Sequence, residues 1–230
     1  MYDLYIGNKN YSSWSLRPWV LMRELAIPFS EHLIPFHDRE AWSHYRRLSP
    51  SGMVPLLRDG ETSVWDSLAI AEYLAERHAG VWPADPLARA FARSAAAEMH
   101  SGFSALRNIC GMNVGIRVKL HQRSDALGAN LARLSALWSE GMRRFGGPFL
   151  AGPDFSAADA FFCPVAFRVQ TYGLELDSAA SAYVVRLLDL PAMQEWRRGA
   201  LAEPFRDWPH EHEIDAAGAI TQDLRAAATN

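Results

Sequence analysis

The stretch Gly80-Val81-Trp82-Pro83-Ala84-Asp85-Pro86 divides the chain into two parts with different grammars. Glycines and prolines this dense break both helix and strand, so regular structure must stop and restart here. Before it, short apolar runs alternate with helical patterns: Leu4 to Ile6, a helical face of Leu21, Met22 and Leu25, the run Phe29 to Ile34, then a helical or irregular stretch through Arg47. Two short strand candidates follow, Pro55 to Leu57 and Ser63 to Trp65. The turn Arg58-Asp59-Gly60-Glu61 separates them, and its Asp-Gly pair suits a tight hairpin. A helix starts at Ser67, with Ile70, Ala71 and Leu74 facing inward. The order is β-α-β-α-β-β-α.

After the break the pattern is helical to about Leu201. Asp85 reads as an N-cap with Pro86 at the first helical position, where a missing N–H costs nothing. Leu127, Leu131, Leu134 and Trp138 mark one face of a later helix that Gly146-Gly147-Pro148 stops, and Ser156-Ala157-Ala158-Asp159 opens another as a capping-box relative. The expected class is therefore α/β followed by all-α: residues 1–79, a linker at 80–86, a helical domain at 87–215, and a loosely held tail at 216–230 rich in Ala and polar residues.

With 230 residues, 49% of them apolar, the chain can bury a substantial core. A formal net charge of -3 with both signs interspersed provides no basic field for nucleic acid. The start lacks the basic and long apolar regions of a secretion signal, and no stretch reads as membrane-spanning, so the expectation is a cytoplasmic protein with no membrane partner. Cys110 and Cys163 stand alone, which excludes a disulfide framework and suits small buried hydrophobes. His210-Glu211-His212-Glu213 reads as a solvated polar run near a terminus, and no metal is assigned.

Three segments far apart in sequence could converge on one ligand. Asn10-Tyr11-Ser12-Ser13-Trp14-Ser15-Leu16-Arg17-Pro18 sits between the first strand and first helix. Its hydroxyls lie where free helix N–H groups stabilise an anion or thiolate, although a serine there also serves simply as a cap. Ser49-Pro50-Ser51-Gly52-Met53-Val54-Pro55 enters a strand; a cis Val54–Pro55 bond, the form of about one X–Pro bond in twenty, would turn the Val54 backbone outward toward an extended peptide ligand. In Trp65-Asp66-Ser67-Leu68-Ala69-Ile70 an acid and a hydroxyl meet a helix start, a place for an α-carboxylate and ammonium or for capping alone.

In this order and with these distances, the three segments, the Trp-Pro linker and the Ser-x-x-Asp helix opening resemble the cytosolic glutathione transferase superfamily over most of the chain. Ser12-Ser13-Trp14-Ser15-Leu16-Arg17 is similar to the Ser-Ser-Cys-Ser-x-Arg signature of the zeta class and of serine-type bacterial relatives. The resemblance implies a thioredoxin-like first domain and an all-helical second domain, glutathione as cosubstrate, and a homodimer. It makes Ser12, then Ser13, the hydroxyl that activates the thiol for attack on a small hydrophobic electrophile. It also implies that Val54, between Met53 and Pro55, pairs with the cysteinyl part of glutathione and that Asp66 and Ser67 meet its γ-glutamyl end.

Three departures from the family pattern bear on function. Trp14 replaces the zeta cysteine, which excludes a mixed disulfide there and argues against a thioltransferase. Met53 stands where many relatives carry Lys or Gln, leaving His37, Arg39 or Trp42 as candidate partners of the glycyl carboxylate. Thr171 stands where maleylacetoacetate isomerases carry an arginine, with Arg168 one turn earlier as a substitute cation. The second-substrate pocket is expected between the serine-rich turn and the next domain, at Trp14, Met99, Phe103, Arg107 and Arg168, with His100 and Met112 near; helical spacing at Met99, Phe103 and Arg107 equally suits core packing. Alternative functions are a non-catalytic glutathione or hydrophobic-ligand binding protein, a maleylacetoacetate-type isomerase, and a glutathione peroxidase.

Overall fold

The computed structural model describes residues 1–227. Strand β1 (Tyr2–Ile6) leads into α1 (Ser13–Glu24), β2 (Phe29–Leu33), α2 (Arg39–Tyr45), β3 (Leu56–Asp59), β4 (Thr62–Trp65) and α3 (Ser67–Ala75). The sheet order is β2-β1-β3-β4, with β1 parallel to β2 and antiparallel to β3. The hairpin residues Asp59 and Thr62 pair across the Asp-Gly turn, and Gly60 takes the left-handed φ of 59° that the turn requires. This is the thioredoxin-like arrangement, and it puts the loops before α1 and before β3 at one end of the sheet.

The second domain holds α4 (Pro86–Ser101), α5 (Ser104–Ile109), α6 (Asp125–Phe145), α7 (Ala157–Tyr172), α8 (Ser178–Leu188), α9 (Pro191–Ala202) and α10 (Trp208–Ala217). Asp85 caps α4 by accepting the Ala88 N–H at 2.7 Å. At the start of α7, buried Asp159 accepts four bonds, from the N–H groups of Ser156 and Leu150 and the hydroxyls of Ser156 and Tyr183. That saturated carboxylate fixes α7 against α8. α7 is apolar nearly all round because it is buried on most sides, packing α1 of the first domain on one of them. Leu16, Trp19, Val20 and Met22 of α1 thus belong to one core shared by both domains.

Two features differ from the sequence expectation. Ile116-Arg117-Val118-Lys119-Leu120 forms a strand, β5, which pairs antiparallel with β6 (Gly218–Asp223), so the helical domain also carries a two-stranded sheet. The alternation of apolar and polar residues in β5 is a strand pattern set among helical ones. The tail is also better held than its composition suggests: residues 216–227 include the end of α10, β6 and Arg225, whose side chain is 3% exposed. Residues 228–230 of the expected loose tail lie outside the described residues.

Candidate active site

The chain leaves β1 through Gly7 and turns sharply before α1. Asn8 directs the turn: its carbonyl accepts the N–H groups of Tyr11 and Ser12, and its side-chain oxygen accepts the N–H of Phe36. Gly7 is needed for space, since a Cβ there would sit 2.4 Å from the Phe36 ring. Ser12 is the N-cap of α1, with its Oγ 3.4 Å from the Ser15 N–H it accepts and 2.7 Å from the Ser15 Oγ to which it donates. Ser15 Oγ in turn accepts the Gly7 N–H at 3.1 Å. Ser13 is the first residue of α1 and is half-buried, with no side-chain hydrogen bond among the described residues.

Beyond this turn opens a cleft of about 820 Å³. Ser12, Ser13 and Trp14 line it on one side; Arg39, Trp42, Arg46 and the Gly52-Met53-Val54 loop line a second. The loop's Val54–Pro55 bond is cis. Tyr45 donates its hydroxyl to the Met53 carbonyl at 2.6 Å, which ties the loop to α2. Val54 itself makes no hydrogen bond within the described residues, so its peptide groups are open to a ligand. Arg107, Met112, Arg168, His210 and Glu213, from the helical domain, complete the walls.

Four arginines against one glutamate make the cleft cationic. Arg168 is 6% exposed, donates to the carbonyls of Cys110 and Arg107, and leaves its Nε without a partner among the described residues. Burial, joined by repulsion from Arg107, lowers its pKa to about 10. Trp14 carries two guanidinium groups over its ring, Arg17 at 4.2 Å and Arg107 at 4.7 Å. Arg17 is buried behind it, and desolvation with repulsion from Arg107 and Arg168 lowers its pKa to about 9, opposed by Asp66. Its Nη1 reaches the Ser67 Oγ at 3.3 Å and lies 3.4 Å from His100 Nδ1. Asp66, with φ 73°, caps α3 through the Leu68 N–H and stands 3.4 Å from His100 Nε2. Burial lowers the His100 pKa despite the attraction of Asp66.

The structure brings Ser12, Ser13, Trp14, Arg39, Met53, Val54, Arg107 and Arg168 to one cleft. Asp66 and Ser67 lie off it, joined to it through Arg17 and Trp14, and Pro55 is buried at the head of β3. Met99 and Phe103 do not line it: they are 3% and 6% exposed within the shared core. Their helical spacing marks an inward face, and the helix breaks at Phe103, whose φ is 53°. Thr171 is buried, donating to the Asn113 carbonyl at 2.6 Å, while Arg168 supplies the cation on that helix. His37 is outside the lining and packs on Phe205.

His210 corrects the reading of the 210–213 segment as a solvated run. Asp207-Trp208-Pro209 starts a helix, with Asp207 as N-cap, and α10 turns His210 into the cleft and buries Glu211. An N-cap acid followed within two residues by proline was the available signal.

Residues 11–77 match the family model described as glutathione S-transferase, N-terminal domain. A probable maleylacetoacetate isomerase of Caenorhabditis elegans is 25% identical over 201 residues, covering 82% of this chain and 89% of its own. A zeta class glutathione S-transferase of Euphorbia esula is 28% identical over 123 residues, 52% of this chain and 55% of its own. Among solved structures, a glutathione transferase homolog from Burkholderia gl BGR1 with bound glutathione superposes with a TM-score of 0.60 at 25% identity, covering 86% of this chain and 98% of that one.

Proposed function

Because this chain belongs to the glutathione S-transferase superfamily, we propose that it binds glutathione in the cleft before α1 and uses serine hydroxyls to hold the thiol as thiolate. The carrying observation is that Ser12 and Ser13 open together onto that cleft at the N-terminal end of α1, beside the open peptide groups of Val54. A free thiol with a pKa of about 8.5 is only a few per cent ionised at neutral pH. Lowering it by about two units takes about 2.7 kcal/mol. The end of a helix contributes about 0.3–2 kcal/mol and a hydrogen bond to a charged group about 1.5–3 kcal/mol, which together suffice. Ser12 would rotate its hydroxyl hydrogen from Ser15 to the sulfur, and Ser13 has a hydroxyl to add. Neither serine attacks; the nucleophile is the cosubstrate's sulfur.

In this reading Val54 pairs with the cysteinyl backbone, and Arg39 or Arg46 of the α2 wall meets the glycyl carboxylate in place of the residue that Met53 lacks. The γ-glutamyl end would run past the cleft lining to exposed Asp66, which meets its ammonium, and to Ser67, which lies buried against Arg17 and would meet its carboxylate. The electrophile lies against Trp14 and Met112. The neighbouring Arg107 and Arg168 favour an electrophile that joins an apolar body to an acidic group over a wholly hydrophobic one. A second reading, cis–trans isomerisation of an acidic substrate by reversible thiol addition, is favoured by the same Arg168 and by likeness to the probable maleylacetoacetate isomerase.

The test is the ultraviolet absorbance of bound thiolate as a function of pH, together with turnover of acidic and neutral electrophiles. Ser12→Ala and Ser13→Ala should together raise the pKa of the bound thiol by about one to two units and slow turnover at neutral pH by about 10- to 100-fold. Unchanged absorbance in the double variant removes serine from the mechanism, and absence of glutathione binding by the wild type removes the whole reading.

A further inference from the structure

We propose that His210 is a catalytic proton carrier of this cleft, taking the thiol proton of glutathione on its Nε2; the proposal rests on the glutathione reading above. Three observations on the imidazole converge. Its Nδ1 is hydrogen-bonded to the Asp207 carboxylate. An ionised carboxylate only accepts, so in the neutral ring Nδ1 carries the proton and Nε2 presents a lone pair. The ring plane is fixed by stacking on Phe36 at 5.6 Å and 12° and on Tyr11 at 5.3 Å and 29°. The side chain is 37% exposed and faces the cleft that Ser12 and Ser13 line, directly beside the residue that precedes them in the chain.

A tautomer fixed by a carboxylate, a ring held by two aromatic faces and an open Nε2 form the arrangement of a positioned general base. The serines stabilise the thiolate, and the imidazole gives the thiol proton an acceptor inside the cleft in place of solvent. In the step assigned to His210 the S–H bond breaks, the electron pair stays on sulfur, and the proton moves to Nε2 to give an imidazolium paired with Asp207. On addition to an activated double bond, the S–C bond forms as the π bond breaks. The resulting carbanion then takes the proton back from Nε2; on displacement, the proton leaves to solvent with the leaving group.

α10 is anchored for this. Buried Glu211, next to His210, accepts from the Tyr11 hydroxyl at 2.7 Å, from Arg225 at 2.6 Å and from Asn113 at 3.1 Å. The groups against the ring are Asp207 at Nδ1 and the Tyr11 phenol, with Glu211 and Arg225 behind it; Glu213 stands one turn along α10, and Arg39, Arg46, Arg107 and Arg168 line the same cleft.

Calorimetry of glutathione binding in two buffers of different ionisation enthalpy counts the protons released per thiol bound. Near neutral pH the wild type should release fewer than His210→Gln, because the ring keeps part of them. S-methylglutathione, which has no thiol proton, should show no difference between the two. Asp207→Asn keeps the helix cap but removes the carboxylate, so it should shift the proton count toward that of His210→Gln. His210→Gln should lower kcat/KM by about 100-fold. Equal proton counts for wild type and His210→Gln, with glutathione still bound, overturn this proposal and leave the transferase reading standing; no glutathione binding by the wild type overturns both.

Discussion

The turn that carries Ser12 and Ser13 and the helix that carries His210 face the same cleft, yet their positions come from interactions of very different reach. The turn has a local framework, in which Tyr11 and Ser12 bond to Asn8, Gly7 bonds to Ser15, and Ser12 caps the helix it precedes, while Lys9 and Asn10 alone carry its ties to Glu203, Ala200, Gly115 and Trp196. α10 has its own cap, but its place over the cleft comes from ion pairs and hydrogen bonds made across the chain. Tyr11 donates to Glu211, 200 residues away, and Arg225 donates to both Glu211 and the Tyr11 hydroxyl. Short-range hydrogen bonds survive most distant changes. A buried charge network holds only while each member is present.

Arg225 is therefore the most vulnerable member of the long-range support. Its side chain neutralises Glu211, 8% exposed, and Asp223, and it fits against Gly115, where a Cβ would lie 2.2 Å from its stem. Arg225→Met leaves the Glu211 carboxylate buried without its cation, a loss of about 3–5 kcal/mol in the stability of the folded chain. Urea unfolding measures it. Adding Glu211→Gln should restore part of the loss, since the stranded charge is then gone. A loss below about 1 kcal/mol for the single variant would mean that water already screens the pair and that α10 is held by packing alone.

Glu203, at the end of α9, ties the helical domain to the turn itself, accepting the Lys9 N–H at 2.7 Å and the Asn10 N–H at 3.3 Å. Burial pushes its pKa up to about 7 although both donors favour the carboxylate. The folded chain thus keeps a proton that the unfolded chain loses at the ordinary value of 4.5. The sign follows: the contribution is full below about pH 4.5, declines as pH rises through about 7, and is flat above, spanning roughly 3 kcal/mol. Glu203→Gln removes that slope. It also leaves one of the two N–H groups without an acceptor, so the variant should be less stable near pH 5 by about 1 kcal/mol and overtake the wild type by about pH 8. Parallel stability curves for the two proteins across that range would show that Glu203 stays ionised and that its donors outweigh burial.

The same division by reach explains what the sequence reveals. The Asp59-Gly60 hairpin, the Asp85 cap with Pro86, the Ser156 to Asp159 helix start and the serine-rich turn are all written within four or five residues, and each is legible there. β5 carries its own alternation, but its partner β6 lies about a hundred residues later in an Ala-rich segment, and a strand without a visible partner is easily read as helix. Met99 and Phe103 show the converse limit. Their spacing fixes which face of the helix is apolar, but only packing decides whether that face meets a core or a cleft, and here α4 packs against α7. His210 gives little local sign of function; its role depends on Tyr11 and Phe36, brought to it by the fold.

The smallest expected effect belongs to a purely local device on the opposite wall. Asp38 caps α2, its Oδ1 accepting the Ala41 N–H at 2.9 Å, and α2 carries Arg39 and Trp42 on the cleft. Asp38→Ala should cost about 1 kcal/mol, the usual value of a lost cap. Because α2 spans only seven residues, that loss should appear mainly as fraying of the helix. Hydrogen exchange should quicken at the amides of residues 41–46 and stay unchanged in α10, while the KM for glutathione rises a few-fold and kcat holds. Arg225→Met should do the reverse, loosening α10 and the Tyr11 turn together while α2 keeps its protection. If Asp38→Ala also loosens α10, the two walls are coupled through the cleft, and the contrast between local and long-range support fails at its weakest point.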